Sequence, residues 1–179
     1  MAKLNLGCGT DIRPGYVNLD SIALPGVDVV HDLNTLPLPF GDAEFHEVNC
    51  KDVLEHIDYV SLMRELHRVM APGGRLIIES PHFSGRAVWV DPTHKHAFST
   101  DTFDFFVTEG KFGPRSYYFD FHFQRIESKT LIFHRERYQP WNYLVEPIIN
   151  SHPRLQEYFE QTALARLFPA SNVRFVLIR

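Results

Sequence analysis

Cysteine is scarce in this chain: only Cys8 and Cys50 among 179 residues. Two thiols in apolar surroundings supply neither a disulfide framework nor zinc-type spacing, so both are expected as buried thiols. No apolar run approaches the ~20 residues that a membrane-spanning helix needs, and no membrane partner is expected. The opening MAKLNLGCG lacks the basic-then-apolar layout of a secretory signal, so a cytoplasmic location is expected. Positive charge is not in excess either. With 18 Lys and Arg against 22 Asp and Glu the net charge is −4, which argues against nucleic acid as a partner. There is no internal repeat and no low-complexity linker. The chain therefore reads as one domain over 1–179, and 44% hydrophobic residues are enough for a core.

What is present is a series of short apolar runs separated by turn chemistry. Residues 3–6, 17–19, 27–30, 45–50 and 75–80 are each bounded by Gly, Pro, Asn or Asp and predict buried strands. One helix stands out. In HIDYVSLMRELHRVMAPGG, apolar residues fall at Ile57, Val60, Met63, Leu66, Val69 and Met70, with Arg64, Glu65 and Arg68 outside the stripe. Asp58 can cap its start and Pro72-Gly73-Gly74 is expected to stop it. Strand, helix and strand at this spacing form a crossover unit, so the two strands should be parallel.

After Ser80 the character changes. Ten aromatic residues lie between Phe98 and Phe123, well above the 13% of the whole chain. Phe119, Phe121 and Phe123 alternate with polar residues at the period of a half-buried strand. SKTLIF predicts another strand, HPRLQEYFEQTALARLF a helix, and NVRFVLIR a closing strand, expected to be antiparallel. The fold class expected is α/β: Rossmann-like, a mostly parallel central sheet with a late antiparallel strand and a reduced helix complement. Residues 1–80 would form a cofactor-binding half, and 81–179 a substrate-side loop, lid and closing strands. Most of the aromatics are expected in the core, with Trp89, Phe98 and Tyr117 as candidates for a pocket.

The stretch LNLGCGTDIRPGYVNLD concentrates the binding chemistry. Gly7 and Gly9 directly follow a buried strand, so the backbone can approach a ligand where no Cβ intervenes. Asp20 ends the next strand and can accept two hydroxyl hydrogen bonds. Only ten residues separate Gly9 from Asp20, barely room for a helix. Asp32 ends the third run, and the fourth run leads into Cys50, Lys51 and Asp52. In open parallel sheets ligands bind beyond the carboxyl ends of the strands, where all of these residues fall.

These residues resemble the class I S-adenosylmethionine-dependent methyltransferases, in particular the small type-11-like group. LNLGCG is similar to the glycine motif of that family, LPLPFGDAEFHEV to its Leu-Pro-Phe segment, and VLEHI with LMRELHRVMAPGGRLIIESP to its later helix and fifth strand. The resemblance is strong over residues 3–80. It implies S-adenosylmethionine as cofactor, with Gly7, Cys8 and Gly9 at its methionine end, Asp20 on the ribose, and Asp32 with Leu33 at the adenine. Lys51 and Asp52 would flank the methionine part or the reacting centre. There are departures: Asp11 replaces the third glycine, His46 stands where aspartate is common, the first helix is cut to a turn, and the helix after the second strand is missing. Ile12, Arg13 and Tyr16 would have to stand in for the missing wall.

Methyl transfer to a hydroxyl benefits from a general base, and histidine suits neutral pH. SPHFSGRAVWVDPTHKHAFST, beyond the fifth strand, carries His82, Asp91, His94 and His96. His94 is the leading catalytic candidate, with His96 and His82 behind it. The bland alternative is that Asp91-Pro92 starts a turn and Thr93 or His94 caps a local structure. The same group could ligate a metal, but no cysteine or glutamate pattern supports that in a chain with ten histidines, and no metal is expected. The function expected is an S-adenosylmethionine-dependent methyltransferase acting on a small molecule or a glycan. The alternative is a non-catalytic S-adenosylmethionine-binding domain serving as a partner or regulatory subunit. The acceptor atom and the oligomeric state are left open by these residues.

Overall fold

A computed structural model describes residues 2–179. Seven strands form one sheet: β1 (Ala2–Leu6), β2 (Val17–Asp20), β3 (Val29–Val30), β4 (Phe45–Lys51), β5 (Met70–Pro81), β6 (Arg125–Ile132) and β7 (Asn172–Ile178). Their order is β3-β2-β1-β4-β5-β7-β6. The first five are mutually parallel, and β7 runs antiparallel to both β5 and β6. The late antiparallel strand predicted from the terminal apolar run is β7. After β1 the chain builds outward through β2 and β3, then returns to place β4 on the other side of β1. Loops leaving β1 and β4 therefore diverge, and a crevice opens beyond their carboxyl ends.

Helix α1 (Tyr59–Val69) links β4 to β5. Its stripe of Leu62, Met63, Leu66 and Val69 is fully buried. At ~1.5–3 kcal/mol per side chain, this burial outweighs any cap. Asp58 is the N-cap residue but makes no capping bond, and its carboxylate instead accepts the Ser61 hydroxyl at 2.6 Å. The helix ends at Val69, earlier than Pro72-Gly73-Gly74. Met70 is already extended and pairs with Phe45, so the Pro-Gly-Gly segment lies within β5 instead of stopping a helix. Glycine is required at 74, where a Cβ would sit 2.8 Å from the Ala71 carbonyl oxygen.

The remaining helices are α2 (Ala87–Val90), α3 (Asn142–Asn150), α4 (Pro153–Gln161) and α5 (Leu164–Leu167). The single helix expected over 152–168 is two, broken at Thr162, and α3 had no counterpart in the sequence reading. The run 119–123 keeps its alternating burial, with Phe121 and Phe123 inside, yet forms no strand. Phe123 makes an isolated bridge to Val107, with its N–H donating to the Phe106 carbonyl at 2.8 Å, and Phe121 packs on the rings of Phe106 and Phe119.

Among the described residues no helix joins β1 to β2 or β2 to β3. A line of buried amides does the work of the first one. Asn5, Asn18 and Asn49 sit in register on β1, β2 and β4 and are each under 5% exposed. Asn49 Nδ2 donates to Asn5 Oδ1 at 2.9 Å, and Asn5 Nδ2 donates to Asn18 Oδ1 at 3.1 Å and to the Asp11 carbonyl at 2.7 Å. Asn18 accepts the Arg13 N–H at 2.9 Å and donates to the Arg13 and Tyr16 carbonyls and to Asp28. The loop 10–16 is thereby hydrogen-bonded to the sheet itself. Ile12 closes it from above, within 2.9 Å of where a Cβ on Gly26 would stand. Asn18→Ala leaves the Arg13 amide without its acceptor and takes one of the two acceptors of Asn5 Nδ2, so we expect a loss of about 1–3 kcal/mol. Urea unfolding should show a lower midpoint with an unchanged slope, and an unchanged midpoint would remove the ladder from the account of loop 10–16.

Candidate active site

The glycine turn leaves β1 in the left-handed region, with φ +61° at Gly7 and +48° at Gly9. A Cβ on Gly7 would lie 2.4 Å from Val53 Cγ2, so glycine lets the turn pack on the second residue after β4. A Cβ on Gly9 would meet nothing within 4 Å and would project into open space. Asp20 ties the turn to the end of β2. Its Oδ2 accepts the Gly9 N–H at 2.7 Å and its Oδ1 the Ile22 N–H at 3.0 Å. A carboxylate has about four acceptor positions, so Asp20 retains capacity for a ligand.

Asp52 follows β4 with φ +52°, a conformation costing about 1–3 kcal/mol for a residue other than glycine. Its N–H donates to the Glu79 carbonyl at 2.8 Å, and its Oδ1 accepts Asn172 Nδ2 at 3.3 Å. Burial pushes its carboxyl above the ordinary value, against the pull of Lys51. Lys51 itself pairs with Glu79 at 3.6 Å.

Two cavities flank this turn. One, of about 380 Å³, is bordered by Gly7, Cys8, Asp11, Lys51 and Asp52, with Asn5 and Asn49 at its floor. The other, of about 290 Å³, is bordered by Gly7, Asp20, Asp32, Leu33, Asp52 and His56. They share Gly7 and Asp52 and so form one bipartite cleft. The eight residues assigned to cofactor binding thus gather here: seven border the cleft, and Gly9 holds Asp20. Asp32 is held below the usual carboxylate range by the Asn34 backbone and side-chain N–H groups, both at 2.9 Å on Oδ1. Both thiols are buried, and burial pushes each above its ordinary pKa.

The three candidate histidines do not form one group. His82 is fully buried, with Nε2 3.0 Å from Glu160 and Nδ1 2.8 Å from the Ser84 hydroxyl. Both nitrogens are engaged within the protein, an anchoring arrangement for α4. His96 is half-buried, its ring edge-on to Tyr59 at 5.0 Å. His94 stands beside the cleft. It makes an edge contact at 4.7 Å with His56, which borders the second cavity, and its Nε2 lies 3.8 Å from Asp91. His94 Nδ1 is buried and has no hydrogen-bond partner among the described residues. Trp89 and Tyr117 are largely exposed, and Phe98 is core.

Sequence reasoning missed four residues here. Asn5 and Asn49 read as strand residues. Glu55 and His56 were part of VLEHI but received no role. Glu55 lies in the 3-10 turn Leu54–His56 and is 1% exposed, and among the described residues neither of its carboxyl oxygens is hydrogen-bonded. The nearby Ser80 hydroxyl completes no hydrogen bond of ordinary geometry to it. Burial, with the charge of Asp52 adding to it, pushes the Glu55 carboxyl up to about 7. The signal in the sequence was a carboxylate set among Val53, Leu54 and Ile57.

Residues 4–78 match the family described as "Methyltransferase domain". A stretch of 45 residues is 42% identical to an uncharacterized protein of Methanocaldococcus jannaschii, covering 25% of this chain and one fifth (20%) of that protein. The fold over 99% of the chain is similar to that of an S-adenosylmethionine-dependent methyltransferase from Archaeoglobus fulgidus, with TM-score 0.61, 17% identity and 86% of that chain covered. It is likewise similar to an S-adenosylmethionine-dependent methyltransferase from Mesorhizobium loti, with TM-score 0.52, 16% identity and 90% of that chain covered.

The two glycines separate strain from fit. Alanine at either position adopts a left-handed conformation that costs ~1–2 kcal/mol. Gly7→Ala adds overpacking against Val53, worth a further ~1–3 kcal/mol. Thermal denaturation should therefore place Gly7→Ala clearly below Gly9→Ala, and equal melting temperatures would mean that Val53 gives way freely.

Proposed function

We propose that the chain is a class I S-adenosylmethionine-dependent methyltransferase that uses S-adenosylmethionine as its cofactor and methylates a hydroxyl oxygen of a small molecule or glycan, a reading supported by the methyltransferase-domain match over residues 4–78 and by the shared fold. S-adenosylmethionine supplies a methyl group on a positively charged sulfur. The single observation that carries the site assignment is the bipartite cleft at the carboxyl ends of β1, β2 and β4, whose halves share Gly7 and Asp52.

The residues fit the group. The half with Asp20, Asp32 and Leu33 offers carboxylate acceptors and an apolar wall, which suits a ribose diol and an adenine. The half with the glycine turn, Asn5, Asn49 and Lys51 offers exposed backbone and polar side chains, which suits an amino-acid moiety. Open space over Gly9 permits close approach. His94 and His56 flank the second cavity on the side of the Asp91–Lys95 loop, and this is where an acceptor hydroxyl is received and activated. Alignment and exclusion of water then account for the transfer.

Calorimetry with S-adenosylhomocysteine tests the cofactor half. Asp20→Ala should raise the Kd by ~10- to 100-fold, equivalent to about 1–3 kcal/mol. The empty protein should lose some stability too, because the Gly9 and Ile22 amides lose their acceptor. Unaltered affinity would end the ribose assignment. His94→Ala tests the acceptor half. Assayed by S-adenosylhomocysteine production over a panel of hydroxylated metabolites and glycans, it should turn over ~100-fold more slowly or worse, with cofactor affinity nearly intact. Equal turnover would take His94 out of the reaction.

A further inference from the structure

The Glu55 carboxyl is the least explained group in the molecule. A buried carboxyl with no donor is costly unless something charged or hydrogen-bonding meets it. Two imidazoles converge on it. One ligating atom each from Glu55, His56 and His94 lie within 4.8 Å of one another.

The outer partners of these rings are those expected around a cation. Metal-bound histidines almost always have their second nitrogen held by a carboxylate, hydroxyl or carbonyl. His56 Nδ1 is 2.9 Å from the Thr93 hydroxyl, which in turn donates to Asp91 Oδ1 at 2.6 Å. His94 Nε2 faces Asp91 Oδ2 at 3.8 Å, which leaves its buried, unpartnered Nδ1 to point elsewhere. The loop is pinned to the turn by the Lys95 N–H, which donates to the Glu55 carbonyl at 2.7 Å. Asp91 thus holds the His56 ring through Thr93 and faces the His94 ring, and no ion pair to Glu55 is formed among the described residues. Asp52 and Asp91 add negative charge around the cluster.

We propose that Glu55, His56 and His94 bind a divalent transition-metal ion at the edge of the cofactor cleft, and that this ion receives the acceptor hydroxyl. A single carboxylate with two imidazoles is a donor set for zinc, iron, manganese or cobalt, and three protein ligands leave positions open for substrate. This inference rests on the methyltransferase reading and deepens it, because it makes the acceptor an oxygen compound and His94 a ligand instead of a free base. The cation lowers the pKa of the hydroxyl it holds. The hydroxyl proton leaves to water and an oxygen lone pair forms the new C–O bond. The S–CH3 bond breaks with its electrons going to sulfur, which becomes the neutral thioether of S-adenosylhomocysteine.

The test uses the full chain stripped with EDTA and titrated with Co2+, whose visible absorption reports nitrogen and oxygen ligation. One equivalent should bind, and Glu55→Gln and His94→Ala should each weaken binding at least ~10-fold. His96→Ala should bind Co2+ as wild type does. Zn2+ should raise the melting temperature of the wild type and not of Glu55→Gln, with circular dichroism checking that each variant is folded. No binding by the wild type, or equal binding by wild type and both ligand variants, would overturn the site. A loss in His96→Ala as large as in His94→Ala would overturn it in favour of a His-x-His arrangement. S-adenosylhomocysteine calorimetry on the same samples separates the two claims. Metal without cofactor product removes the methyltransferase reading and leaves the site, whereas cofactor product without metal removes the site alone.

Discussion

The amide line Asn49–Asn5–Asn18 is the constraint on which the cleft depends. A parallel sheet with no helix after its first strand has an exposed flank and a loop with nowhere to anchor. Here the sheet supplies the anchors, through side chains in register on three adjacent strands. Asn5 and Asn18 are hydrogen-bonded through both ends of their amides, and Asn49 donates to Asn5, so burial costs little and the geometry is specified. Loop 10–16 is thereby fixed next to the glycine turn by Asn5 and Asn18, and Asn5, with Asn49 bonded to it, also lines the first cavity.

The second determinant is topological. Placing β1 between β2 and β4 sends two loops in opposite directions, and the crevice between them exists whatever side chains line it. What makes the crevice chemically particular is the acidity of its rim. Asp20, Asp32, Asp52 and Glu55 border it or lie just beneath it, with Lys51 already paired to Glu79. Such a rim accepts hydroxyl and amino groups and disfavours phosphate. Strain at Asp52, the orphan carboxyl of Glu55 and the unpartnered nitrogen of His94 occur within one short segment and the loop packed on it. Strained and unsatisfied groups gathered in one place mark a candidate functional site.

Much of the scaffold was legible in the residues. Short runs bounded by turn residues identified the five strands of the first half, even where Asn5, Asn18 and Asn49 interrupt their apolar pattern. The 3.6-residue stripe identified α1. Legibility failed where tertiary contacts override local pattern. The Phe119–Phe121–Phe123 alternation looked like a strand, yet rings packing on rings can produce the same period of burial without a ladder. Pro72-Gly73-Gly74 looked like a helix stop, yet pairing with β4 had already drawn the chain into β5.

The sequence by itself determined the crossover unit, the glycine turn and the carboxylates at the ends of the strands, since each follows from composition and spacing within a dozen residues. Only the tertiary structure decided which of the later histidines stands beside the cleft. His82, His94 and His96 are near one another along the chain and chemically equivalent on paper. Yet one is locked against Glu160, one leans on Tyr59, and one meets Glu55 and His56 from a turn about forty residues earlier. That choice depends on how the loop after β5 folds back over the turn after β4. It is a long-range contact whose energy comes from hydrogen bonds such as Lys95 to Glu55, and no local pattern encodes it.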